Sequence, residues 1–126
     1  MARKVLLIDD EAGFTQLLKM NLEKSGDFEV TIENDSTKAA DVARSVRPDV
    51  ILLDVVMPGM DGGDVQAHLQ ADPALQKVPV IMLTALVDSA ELSAGAVAQS
   101  ATSVVLPKPV DLELLLRVIE EAISGG

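Results

Sequence analysis

Residues 50–54 read Val50-Ile51-Leu52-Leu53-Asp54, four apolar side chains closed by a carboxylate. A strand with one face in water alternates apolar and polar residues. This run does not alternate, so it reads as a strand covered on both faces, as a parallel sheet between two layers of helices requires. Val5-Leu6-Leu7-Ile8, Val80-Ile81-Met82-Leu83 and Val104-Val105-Leu106 have the same character, β-branched or aliphatic and bounded by turn residues. Glu29-Val30-Thr31-Ile32-Glu33 alternates instead and suits a half-exposed edge strand. Segments of helical length lie over 13–24, 36–46, 64–71, 89–99 and 112–124. Asp35 or Ser36 suits the N-cap of the second, Pro48 blocks its continuation, and Asp88 with Glu91 forms a capping-box pattern for the fourth. Strand and helix alternate five times. The expected architecture is α/β, a doubly wound (βα)5 fold with a five-stranded parallel sheet of order 2-1-3-4-5 and helices on both faces.

The chain has 126 residues, 48% of them hydrophobic, which fits one domain over 1–124, with 125–126 as a tail or linker start. A net charge of −10 argues against non-specific binding to nucleic acid or to an anionic membrane. Trp and Tyr are absent, leaving Phe14 and Phe28 as the only aromatic rings, so base-stacking platforms are absent too. No apolar run approaches the length of a membrane span, and Met1-Ala2-Arg3-Lys4 leads directly into a strand without the features of a signal peptide. A cytoplasmic protein is expected. With no cysteine, any metal must sit on oxygen or nitrogen.

The polar residues fall into a pattern on this scaffold. Asp9, Asp10 and Glu11 follow the first strand, Asp54 ends the third, Thr84 ends the fourth and Lys108 follows the fifth. All lie at carboxyl ends, where open α/β sheets bind their ligands near the switch point in strand order. Three carboxylates there repel one another, and one lysine does not neutralise them, so a divalent cation is expected. Oxygen-only ligation with water favours Mg²⁺, and Mg²⁺ with a lysine is the usual equipment of phosphoryl transfer. In that setting an aspartate is a nucleophile toward phosphorus, Lys108 binds a phosphoryl oxygen and Thr84 donates a hydroxyl to the same group.

Asp9-Asp10, Asp54-Val55-Val56-Met57-Pro58-Gly59-Met60-Asp61-Gly62, Leu83-Thr84-Ala85 and Lys108-Pro109 resemble the receiver domains of two-component response regulators, over essentially the whole chain. The resemblance implies a flavodoxin-like fold and a phosphorylation-dependent switch, a regulatory phosphoacceptor that assists its own phosphorylation and dephosphorylation and is not otherwise an enzyme. Asp54 would carry the phosphoryl group, Asp10 would bind Mg²⁺ directly, Asp9 mainly through metal-bound water, and Val56 through its backbone carbonyl. Thr84 would swing toward the phosphoryl group and Lys108 would pair with it, followed by a cis Lys108-Pro109 bond. The donor would be a phosphohistidine on a sensor histidine kinase or a histidine phosphotransfer protein.

Several positions depart from the family pattern. Val105 stands where Tyr or Phe is frequent, Ala101 replaces a frequent glycine, and Pro107 removes a backbone donor beside Lys108. Val56 and Leu86 are apolar where some members carry groups that orient an attacking water, so slow autodephosphorylation is expected. The same Val56 disfavours a haloacid-dehalogenase-type phosphatase, which wants a second Asp there as general acid. A flavodoxin-like nucleotide binder is disfavoured by the acidic loop after the first strand. An interaction domain that binds without switching is a third reading, and His68, the single histidine, reads as a helix-surface residue. On the last helix Leu112, Leu114, Leu115, Leu116, Val118, Ile119, Ala122 and Ile123 cover a face wider than a core needs. The excess around Leu114 and Val118 reads either as a surface for a homodimer or output partner, near the fourth helix, fifth strand and last helix, or as packing within the monomer.

Overall fold

The computed structural model describes residues 2–55, 62–84, 98–99, 103–107 and 110–125. In chain order the elements are β1 (Arg3–Ile8), α1 (Ala12–Glu23), β2 (Phe28–Glu33), a 3-10 turn (Ser36–Lys38), α2 (Ala39–Val46), β3 (Val50–Asp54), α3 (Gly62–Ala71), β4 (Val80–Thr84), β5 (Ala98–Gln99), β6 (Ser103–Pro107) and α4 (Leu112–Gly125). The sheet runs β2-β1-β3-β4-β6-β5. Its first five strands are parallel, in the expected 2-1-3-4-5 order of the apolar runs, and among the described strands only β5 is antiparallel.

β5 corrects the end of the expected helix over 89–99. Ala98 pairs with Val105 and Gln99 with Val104, covering part of what would otherwise be an open edge of β-branched residues. The preceding part of that helix, with Asp88 and Glu91, lies outside the described residues, as does Ala101. Pro107 has a physical place at the end of β6, beyond the two residues that β5 pairs, where a missing N–H interrupts no bond to β5.

Period-two alternation divides the core into two layers. Val5, Leu7, Val50, Leu52, Ile81, Leu83 and Leu106 pack on one face with Leu18 and Leu22 of α1 and Leu115, Val118 and Ile119 of α4. Leu6, Ile8, Ile51, Leu53, Val80 and Met82 pack on the other with Ala39 and Ala43 of α2 and Val65 and Leu69 of α3. Helices therefore cover both faces, which is why the strands read as continuous apolar runs. β2, at the edge, buries Phe28 and Val30 and exposes Glu29.

The expected cap falls one turn early: α2 starts at Ala39 with Lys38 at its N-cap and no side-chain cap. Asp35 caps the turn before α2, its side chain accepting from the Thr37 N–H at 3.0 Å. α2 stops at Val46, and Arg47 takes a left-handed backbone (φ 54°) ahead of Pro48. His68 is exposed on α3. α4 runs one residue past its expected end. Val118 is buried, only 8% exposed, and belongs to the first core layer. It is core and not contact surface; of the two residues expected to centre an interface, only Leu114 is partly open.

Candidate functional site

Strand register builds the site. Ile8 lies opposite Leu53, so Asp9 and Asp54 are the next residues on adjacent strands. Counting by twos from Leu7 and Leu52 puts both on the face covered by α1 and α4. The carboxylate oxygens of Asp9, Asp10 and Asp54 lie within 4.8 Å of one another. Asp9 is fully buried, Asp54 is 5% exposed, and Asp10 is open to solvent. Thr84 is buried at the end of β4, level with Pro107 of β6. Lys108, the next residue, lies outside the described residues, as do Val56, Leu86 and Pro109.

The backbone around the carboxylates is tightly held. The Glu11 N–H donates to Asp9 Oδ1 at 2.9 Å, fixing the loop from β1 into α1. Behind Asp54, the Val55 N–H donates to the Leu83 carbonyl at 3.0 Å and the Gly62 N–H to the Val55 carbonyl at 2.7 Å. A Cβ on Gly62 would stand 2.6 Å from the Asp54 carbonyl oxygen and 2.7 Å from the Val55 Cα. Only glycine lets α3 begin so close to the strand end. In sequence Asp61-Gly62 is a turn-forming pair, and nothing in it signals this close approach. Asn34, just past β2, is a second site residue that sequence reasoning missed: its Nδ2 donates to the Asp9 carbonyl at 2.7 Å. A single Asn after an edge strand looks like any loop residue, so the sequence carries no signal for it.

Like charges at this spacing repel by about 3 kcal/mol per pair at an effective dielectric of about 20. Two of the three are buried, so water does little to screen them. The donor set is all carboxylate oxygen, one member open to water, which is the chemistry of a hard divalent cation that keeps part of its hydration shell. The residues present fit Mg²⁺.

Three comparisons bear on this arrangement. The family model described as "Response regulator receiver domain" matches residues 5–120. The chain belongs to the response regulator receiver domain family. The receiver is 38% identical over 95 residues to the DNA-binding response regulator MtrA of Mycobacterium tuberculosis, covering 75% of this chain and 40% of that protein. It is 37% identical over 111 residues to the response regulator PleD of Caulobacter vibrioides, covering 88% of this chain and 24% of that protein. The chain thus spans less than half the length of these curated relatives. Among solved structures, the chemotaxis protein CheY4 of Vibrio cholerae superposes with a TM-score of 0.80 at 30% identity, over 97% of this chain and 99% of that one. The signal receiver domain of a signal transduction histidine kinase from Syntrophus aciditrophicus superposes with a TM-score of 0.80 at 29% identity, over 98% and 92%. Among the described residues, no helix of this receiver is long and apolar enough to cross a membrane.

Proposed function

We propose that this receiver domain, residues 1–124, is a cytoplasmic phosphorylation-dependent switch in which Asp54 accepts a phosphoryl group from a phosphohistidine. The observation that carries the reading is the convergence of Asp9, Asp10 and Asp54 at the carboxyl ends of β1 and β3. An Asp54 carboxylate oxygen attacks phosphorus, the phosphorus–nitrogen bond breaks, and its electron pair stays on the donor imidazole, which leaves neutral when its other nitrogen carries a proton. Asp10 and Asp54, the carbonyl of Val56 and, through water, Asp9 would hold Mg²⁺. When bound, Mg²⁺ offsets the charge that develops on the phosphoryl oxygens. Thr84 donates its hydroxyl to the transferred group and Lys108 pairs with it, which keeps the acyl phosphate in place and gives the switch its two states.

The donor is a sensor histidine kinase or a histidine phosphotransfer protein. Its imidazole must reach Asp54 at the carboxyl ends of the strands, beside the loop from β1 into α1. α1 starts at the end of that loop and exposes Leu17 (60%) and Met20 (67%). Phe14, Leu17, Leu18, Asn21 and Val110 line a cleft of about 150 Å³ there, which supports α1 as the face the donor meets. Val105 packs half-buried against the second core layer, and a valine has no ring to rotate with Thr84, so output passes by a route other than an aromatic switch. With Val56 and Leu86 apolar, autodephosphorylation is slow; a Val56→Asn variant is expected to lose its phosphoryl group faster than the parent.

Incubation with acetyl phosphate and Mg²⁺, followed by intact mass, tests the reading. One phosphoryl adduct in the parent and none in Asp54→Asn is the expected result. No adduct in either, or an adduct retained in Asp54→Asn, would remove Asp54 from this role.

A further inference from the structure

The backbone of Asp9 shows where the parallel ladder between β1 and β2 stops. Pairing runs from Arg3 opposite Phe28 to Ile8 opposite Glu33, so the next pair would be Asp9 and Asn34. In a parallel ladder every second residue of a strand, Arg3 and Asp9 among them here, donates to the residue before its partner and accepts from the residue after it. The first half survives, because the Asp9 N–H donates to the Glu33 carbonyl at 3.2 Å. The second half does not. The Asp35 N–H, which would serve the Asp9 carbonyl, turns instead to Glu33 Oε2 at 2.9 Å. Asn34 Nδ2 takes its place at 2.7 Å.

The second hydrogen of that amide points to Thr15 Oγ1 at 3.3 Å, and the buried Thr15 hydroxyl donates on to the Ala12 carbonyl at 3.0 Å. Both acceptors fix the orientation of the amide, since the Asp9 carbonyl has no proton to give. One side chain therefore ties the ends of β1 and β2 to the first turn of α1. The tied segment is the one that carries Asp9, Asp10 and Glu11, and it faces Asp54.

We propose that Asn34 is a positioning residue for cation binding: it holds the Asp9–Glu11 loop against the mutual repulsion of the acidic cluster, so that the carboxylates are already assembled when Mg²⁺ arrives. This rests on the phosphoacceptor reading of the pocket. Without the clamp, repulsion among Asp9, Asp10 and Asp54 opens the loop, and binding has to re-close it. Groups one shell out from a metal commonly change its affinity by about 10–100-fold when removed, and a contact to backbone belongs at the low end of that range.

The test is calorimetric Mg²⁺ titration at fixed ionic strength on the parent, Asn34→Ala, Asn34→Asp and Thr15→Val, with thermal unfolding in EDTA to show that each folds. Asn34→Ala is expected to bind Mg²⁺ about tenfold more weakly than the parent. Asn34→Asp separates positioning from charge. It adds a negative charge near the cation yet offers an acceptor to the Asp9 carbonyl, so it is expected to bind no more tightly than Asn34→Ala. Thr15→Val, which keeps the side-chain shape and removes the weaker anchor, is expected to show a smaller loss, and it keeps the test decisive if an Asn34 variant does not fold. Parent-like affinity in all folded variants, or tighter binding by Asn34→Asp than by Asn34→Ala, overturns the proposal. A parent that binds no Mg²⁺, or binds it equally after Asp54→Asn, overturns the reading of the pocket itself.

Discussion

The two ends of this sheet use the same acidic residues in opposite ways. At the carboxyl ends, Asp9 and Asp54 are buried beside each other and beside Asp10. At the amino ends, acids meet partners that satisfy them: Asp72 pairs with Arg44 at 2.9 Å and accepts the Ala74 N–H at 2.9 Å, Asp41 pairs with the same arginine, and Asp49 accepts the Lys4 N–H at 2.8 Å. Asp9 too accepts a backbone N–H, that of Glu11, but only at the carboxyl ends do three described carboxylates crowd together. Aspartate content alone therefore predicts nothing about function; what matters is whether carboxylates converge on one another, as Asp9, Asp10 and Asp54 do, or stand apart, each beside an arginine or a backbone N–H. The paired end serves stability, and the crowded end is where the proposed phosphoryl chemistry would sit.

The sharpest way to break the crowded end is from behind. Gly62→Ala forces α3 away from the Asp54–Val55 backbone and is expected to lower unfolding free energy by about 3 kcal/mol, read from a shifted urea midpoint at unchanged slope. The two ends then respond with opposite signs to the same chemical change. In EDTA at low salt, Asp54→Asn relieves repulsion and is expected to stabilise the protein by on the order of 1 kcal/mol. Asp72→Asn removes an ion pair and is expected to destabilise it, and equal signs for the two would erase the distinction. Mg²⁺ is expected to stabilise the parent and not Asp54→Asn.

The pH response sharpens the paired end. The hydrogen bond from Arg44, and after it the Ala74 N–H, holds the Asp72 pKa below its ordinary value of 3.8. Because the folded-state value is the lower one, the stability Asp72 supplies is fully present above 3.8 and is lost as pH falls through the depressed folded-state value. Unfolding curves of the parent and Asp72→Asn are thus expected to converge below pH 3.8, whereas a gap constant with pH would assign the pair no role. The smallest effect is a control on the glycines. Gly13 lies in α1, where a methyl group in place of its hydrogen would meet nothing within 4 Å, so Gly13→Ala is expected to stabilise by about 0.5 kcal/mol, opposite in sign to Gly62→Ala.

Much of this was legible in the sequence because burial on both faces leaves a one-dimensional trace. Val50 to Leu53 and Ile81 to Leu83 show their environment without any partner being known, and the acids that end such runs sit at strand ends by construction of the fold. What did not show were features set by register and approach. Asn34 matters because the β1–β2 ladder stops one step after Ile8, and Gly62 because α3 starts against Asp54. Neither fact is encoded in neighbouring residues. β5 was hidden for a related reason: Ala98 and Gln99 have weak strand preference, and the open edge at Val104 and Val105 recruits them. Val118 sits on a helix whose apolar face is wide enough to read as surface, and only packing assigned it to the core.

The proposed chemistry of the crowded end turns on which carboxylate would carry a phosphoryl group, and the direct measurement is peptide mapping of the protein after reaction with acetyl phosphate and Mg²⁺. The predicted result is a single modified peptide with the phosphoryl group on Asp54. A phosphoryl group on Asp9, Asp10 or any residue outside the pocket would contradict it.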